Sequence, residues 1–348
     1  MKQPLRAGHC ASLLLLVAPA FAGASGSRST PRQEPSGPKA SIGQVVPDFA
    51  FRDFLAGGDG RQKLSEFRGQ PVLIVNWTDT DFGRGAAGEV EKLARELVPE
   101  GLVLILLDTH NKTAPEIEAS VMRLYPGSPA RLQQNQKLPI DYLDNGPPPD
   151  IALVGVDGTL LVAGSYTSDL NKASKLIKPE LKKSASGWGE HEAARAARAL
   201  AYGQGNLAGA KAAIEAAVAA QPAEVELGVV RAEIAARFDS RVRAVRTFLE
   251  HGQVQRSMEE ARALAQAVKG VTDWEAQAAA LLRELESEEV ARELELDRKL
   301  SALLAPLAKK APDREPEKLR KFAAEAGGTR VGKRALHLAE VGTLAAKK

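Results

Sequence analysis

Two uninterrupted apolar runs, Pro71-Val-Leu-Ile-Val-Asn-Trp77 and Leu102-Val-Leu-Ile-Leu-Leu107, flank a stretch in which Val90, Leu93, Ala94 and Leu97 recur on one helical face. A run with no polar alternation suits a strand covered on both sides, and strand, helix, strand in that order implies a right-handed parallel crossover. Further on, Ile151-Ala-Leu-Val-Gly-Val156 and Thr159-Leu-Leu-Val-Ala163 are joined by Asp157-Gly158, a strong turn signal for a β-hairpin. A helix from Leu170 to Leu181 closes the segment. The region from Ile42 to about Lys183 therefore reads as an α/β domain with a central sheet.

After Ser184-Ala-Ser-Gly187 the composition turns to Ala, Glu, Arg and Leu, which marks a domain boundary and predicts an all-α remainder over 184–348. Helices are expected at Val225–Arg237, Val242–His251, Met258–Val268, Thr272–Leu304 and Glu315–Ala326. The acidic residues Glu284, Glu286, Glu288, Glu289, Glu293 and Glu295 read as one solvated helix face. His191, His251 and His337 have no partner four residues away and read as surface histidines.

The N-terminus carries Lys2 and Arg6, an apolar run ending in Leu13–Val17, and Ala20-Phe21-Ala22. That is the charged, apolar and small-x-small pattern of a secretory signal peptide, with cleavage expected after Ala22. The expected location is the periplasm or the extracellular space, with no membrane span left after cleavage. Residues 23–40, rich in Gly, Ser, Pro and basic side chains, read as a disordered linker. The only cysteine among the 348 residues, Cys10, lies before the apolar run and leaves with the peptide. No thiol, disulfide or cysteine metal ligand then remains in a compartment that permits disulfides. The formal charge is +3, from 47 basic and 44 acidic residues, a balance that favours neither nucleic acid nor an anionic membrane surface as partner.

Ile42-Gly43, Pro47-Asp48-Phe49, Asp59-Gly60, Leu64-Ser-Glu-Phe-Arg-Gly69, Pro71 to Trp77, Pro149 and Asp157-Gly158 occur in the order found in the thiol-disulfide reductase and peroxiredoxin branch of the thioredoxin superfamily. The segment from 41 to 183, a little over a third of the chain, resembles that family. The resemblance implies a Trp-Cys-x-x-Cys turn at a helix N-terminus, where the dipole lowers the thiol pKa. Here the turn is Trp77-Thr78-Asp79-Thr80-Asp81-Phe82-Gly83-Arg84, with Thr80 and Gly83 about where the cysteines would stand. Neither forms a disulfide. Thr80 has no histidine in the turn to act as its base, so capping of the following helix is the simpler role, and the same holds for Asp79 and Asp81. Pro149 aligns with the family's cis-proline, which shapes a groove for substrate backbone. Trp77 reads as a packing residue.

Tyr202-Gly-Gln-Gly-Asn-Leu-Ala-Gly-Ala-Lys-Ala-Ala-Ile214, with Ala217 and Pro222, resembles a tetratricopeptide repeat joint, and the stretch from Lys321 to Ala335 looks like a second. A generic helical bundle is the alternative. The fold class is thus an α/β thioredoxin-like domain followed by an all-α, repeat-like domain. The function expected is noncatalytic binding of a protein or peptide partner in the cell envelope, with no cofactor. The alternative is a metal-dependent enzyme using Asp79, Asp81, Asp108 and His110, which fall beyond the C-terminal ends of two neighbouring strands, where α/β sheets hold ligands.

Overall fold

The sheet follows the order β3-β2-β1-β4-β5 in a computed structural model of the chain. The structure describes residues 39–346, apart from 53, 79–80, 110–111, 126–127, 135, 142, 144–149 and 307–315 and the side chains of 81–84, 86 and 87. Strand β1 (Val72–Trp77) pairs in parallel with β2 (Val103–Asp108), from Val72 opposite Val103 to Trp77 opposite Asp108. Helix α1 (Asp81–Leu97) makes the connection and begins inside the stretch that the resemblance assigns to the redox turn. Both strands are buried throughout because both faces of the sheet are covered. Leu73, Val75 and Trp77 meet Val90, Ala94 and Leu97 of α1, whereas Val72 and Ile74 point the other way, towards Phe51, Phe67 and Ile140. Each aliphatic side chain so buried contributes roughly 1.5–3 kcal/mol.

The hairpin forms as the Asp-Gly signal predicts: β4 (Asp150–Val154) pairs antiparallel with β5 (Leu160–Ser165), and Gly158 takes the positive φ of 84° that the turn needs. Two elements are additional to those expected from the sequence. Helix α2 (Ala114–Leu124) is started by a reciprocal box in which Thr113 N–H donates to Glu116 at 3.0 Å, and β3 (Arg131–Gln133) is three residues pairing with β2. Helix α3 (Tyr166–Ser186) outruns the predicted 170–181, and the composition change at Ser184 falls in its last turn; Gly187, at φ 79°, ends it.

Helices follow to the end of the described chain: α4 (Glu192–Arg198) continuing into a π-helical turn over Ala199–Gly203, α5 (Leu207–Ala220), α6 (Val225–Glu250), α7 (Val254–Ala267), α8 (Thr272–Leu285), α9 (Glu288–Leu304), α10 (Pro316–Ala326) and α11 (Arg330–Ala346). Two boundaries differ from the sequence pattern. The break expected between Arg237 and Val242 is absent, because tertiary partners hold Phe238 and Arg241 in helix: Phe238 stacks on Trp274 with ring centroids 4.6 Å apart, and Arg241 donates to Glu260 at 2.6 Å. The single helix expected over 272–304 is two, since Ser287 caps α9 by accepting from the Val290 N–H, with Glu288 and Glu289 in the first turn.

The acidic run is accordingly not one solvated face. Glu293 is buried and accepts from the Arg330 N–H at 3.2 Å. His337 is not a solitary surface histidine either, because its Nε2 lies 2.7 Å from Glu118 of α2. His191 behaves locally, capping α4 by accepting from the Ala193 N–H.

Successive helices pack neighbour on neighbour from α4 to α8, α9 packs on α11, and α11 folds back on α2. The helical region therefore grips the α/β domain at both ends. Trp188 and Tyr202 make the near joint, with rings 5.0 Å apart beside Gly69, and Ala119 packs with Val341 and Ala345 at the far one. Among the described residues no helix is long and apolar enough to cross a membrane.

Candidate functional site

The ends of β1 and β2 place Asn76, Trp77, Thr78 and Asp108 side by side. Trp77 is fully buried in the core, as its packing role predicts. Asn76 donates from Nδ2 to the Leu143 carbonyl at 2.8 Å, tying the strand end to the segment beside it, and Thr109 donates from Oγ1 to the Trp77 carbonyl at 3.0 Å. Asp108 is buried and accepts from the Lys112 N–H at 3.3 Å. It therefore serves the loop that follows β2.

Asp79, Thr80, His110 and Pro149 lie outside the described residues, as do the side chains of Asp81, Phe82, Gly83 and Arg84. Of the four groups in the metal alternative, only the Asp108 side chain is described. Among the described residues no cluster of three or more His, Cys, Asp or Glu groups is arranged to hold a metal.

One acid at this strand end escapes a reading based on the redox turn. Asp150 opens β4 opposite Asn76, is almost wholly buried, and burial pushes its carboxyl up to about 6. Its only signal in the sequence is a lone carboxylate at the head of an apolar run.

A second, larger site lies where the α/β domain faces α6 and α7. Its floor is the loop around Asp59. Arg131 of β3 donates to both Asp59 oxygens, at 2.8 and 2.7 Å, and Arg61 donates from Nε and Nη2, at 3.0 and 2.8 Å to Oδ2. These two guanidinium groups hold the Asp59 carboxyl well below the usual carboxylate range despite its burial. Phe67 lies under both cations, with Arg61 4.4 Å and Arg131 5.2 Å from its ring centroid. A cleft of about 940 Å³ opens above this floor, walled by Arg68, Tyr202, Glu233, Arg237, Arg241 and Phe248 among others. A second cavity, of about 540 Å³, continues past Asp59, Arg61, Gln70 and Arg256 towards Met122 and Leu338. The sequence pattern offers no hint of this site, because its walls come from residues 59 to 263 and share no motif.

No protein-family model matches the chain, and no curated protein matches it in sequence. Among solved structures, it is similar to the thioredoxin domain of a thiol-disulfide oxidoreductase from Bacteroides vulgatus, at 19% identity over 40% of this chain and 99% of that one, with a TM-score of 0.31. It is also similar to a thiol:disulfide interchange protein from Bacteroides sp., at 18% identity over 40% of this chain and 91% of that one, again with a TM-score of 0.31. These likenesses bear on the fold alone, which the sheet order and register already define. The first part of the chain is a thioredoxin-like α/β domain. An all-helical region follows it, and the thioredoxin-like domain contains no cysteine.

Proposed function

We propose that this is an exported, redox-inactive thioredoxin-like protein that binds a protein or peptide partner in the cell envelope, with a tetratricopeptide-like helical region as the second half of its binding surface. The observation that carries this reading is the single cysteine at position 10, ahead of the apolar run of the proposed signal peptide. From residue 39 onward there is no sulfur nucleophile and no redox pair, so thiol-disulfide exchange has no chemical basis there. Stacked helix pairs provide extended surfaces for recognition, and here such a stack is held against the α/β domain at both ends.

The test combines catalysis, export and binding. The purified chain starting at Gly23 is assayed for insulin reduction and peroxide consumption beside a Thr80→Cys, Gly83→Cys variant. The native chain should be inert, and turnover of either substrate by it overturns the reading. Expression of the full chain should yield an exported product whose N-terminus is Gly23; retention of the first 22 residues in the cytoplasm would remove the envelope from the proposal. A peptide array supplies the binding arm, in which bound sequences sharing a motif support the reading and an array with no bound sequence counts against it.

A further inference from the structure

The lining of the cleft between the thioredoxin-like domain and α6/α7 carries five arginines and five acids, but arginines behind the wall take up most of those acids and leave some of the lining arginines without one. Its acids are almost all engaged. Asp59 is held by Arg61 and Arg131, Glu66 by Arg243, Glu233 by Arg198 at 2.9 Å and Glu260 by Arg241 at 2.6 Å, while Glu259 at the outer edge accepts from Gln255. Arg237 is left over. Its guanidinium lies 4.2 Å from the centroid of the Tyr202 ring, and among the described residues it has no hydrogen bond and no carboxylate partner. Its Nε is buried without an acceptor. Burial pulls it down to about 10, with Arg61 and Arg241 adding charge of the same sign, and Glu260, already bonded to Arg241, offsets this only from a distance. Arg256, which lines both cavities, has Gln253 at 3.4 Å and the face of Phe248 at 4.1 Å, with no carboxylate within ion-pair distance among the described residues. Among the described residues Arg68 donates to the Asp157 carbonyl alone.

A buried guanidinium without an anion is costly, and a ring face compensates it only in part. A rigid five-donor fork in the wall of an open cleft suits the geometry of carboxylate and phosphate oxygens. The rest of the wall is mostly apolar, formed by Val229, Ala232, Ala236, Ala244, Phe248 and Ala263, with Ser65, Gln70 and Ser240 as its uncharged polar members. The volume of about 940 Å³ lies at the upper end of the range for small-molecule sites.

We propose that this cleft is a binding site for a small organic oxyanion, a carboxylate or phosphate on a compact apolar body, with Arg237 as the principal ligand of the head group. The site uses neither the redox turn nor the Pro149 groove, and it shares with the partner-binding reading only the helical region that supplies its α6/α7 wall. Because a half-buried cation whose Nε lacks an acceptor destabilises the empty protein, replacing Arg237 by a shape-matched apolar side chain has opposite effects on stability and on binding. A purely structural arginine, kept for its contact with Tyr202, lacks that signature.

The experiment is calorimetric titration and thermal melting of the chain starting at Gly23, with phenyl phosphate and 4-phenylbutyrate as the two head-group probes. Inorganic phosphate and benzyl alcohol are the head-only and body-only controls. At least one probe should bind and raise the melting temperature. Arg237→Met should weaken that probe by about tenfold or more while leaving the empty protein as stable as before or more so. Whichever probe binds more tightly assigns the head group. The proposal is overturned if neither probe binds more tightly than about 10 mM, if the Met variant binds as the native chain does, or if that variant melts lower and the native chain shows no probe response.

Discussion

Asp59 is the single acid on which the floor of the interdomain cleft depends, and Asp59→Ala tests that dependence. The substitution removes the carboxylate shared by Arg61 and Arg131, leaves Arg61 with only the Gln70 side-chain carbonyl as acceptor, and sets two cations facing each other over Phe67. Removing one partner of a buried ion pair costs about 3–5 kcal/mol, chiefly because the remaining charge stays buried and uncompensated. The unfolding entropy of a unit spanning residues 35–348 is on the order of 0.6 kcal/mol/K, so the melting temperature should fall by about 5–8 °C at pH 7. The pH dependence has a definite sign. The folded carboxyl titrates below its unfolded value, so its stabilisation is present above the ordinary carboxylate value near 4 and is lost as the pH falls through the depressed one. The gap between native and variant should therefore narrow as the pH drops below about 4. Adding Arg131→Met to Asp59→Ala leaves one stranded cation instead of two and should recover part of the loss. Melts followed by circular dichroism across pH 3–8 measure all of this. A variant within about 1 °C of the native chain at pH 7, or a gap that is constant with pH, would refute the reasoning.

Three further outcomes follow from other contacts. Asp150 prefers to be protonated in the fold, so the native chain should lose stability as the pH rises from about 4 through about 6; Asp150→Asn should remove that loss and gain about 1–2 kcal/mol at pH 7.5, read from urea midpoints. Gly69 combines a φ of 83° with close packing against the Tyr202 ring, so Gly69→Ala should cost about 2–4 kcal/mol, whereas Ala at Gly270, with φ 93° and open space around it, should cost only about 1 kcal/mol. Hydrogen bonding to Glu118 raises His337, so the pair stabilises the fold below the ordinary histidine value near 6.5 and that contribution disappears as the pH rises through the raised one. Since His337 is half exposed, Glu118→Gln should flatten the pH dependence of melting between pH 6 and 8 by less than about 1 kcal/mol.

The sequence by itself determined the parts of this protein that are written in local periodicity. The continuous apolar runs ending at Trp77 and Leu107 could only be buried strands, Asp157-Gly158 could only be a tight turn, and the composition after Ser184 could only build helices, since each signal is carried by residues a few positions apart. The absence of cysteine after position 10 was equally legible, being a matter of residue identity. Local pattern failed where distant partners override it. Residues 238–241 look like a break and stay helical because Trp274 and Glu260 hold Phe238 and Arg241; Glu293 looks solvated and is buried because Arg330 lies against it. Only the tertiary structure decided that α11 returns to α2 through His337 and Glu118, and that Asp59 meets Arg131 across the chain. It also decided that Arg237 is left without an anion in the cleft between the two halves. Which charges are neutralised depends on which chain segments meet, and pairings that close long loops leave no periodic trace in the residues that make them.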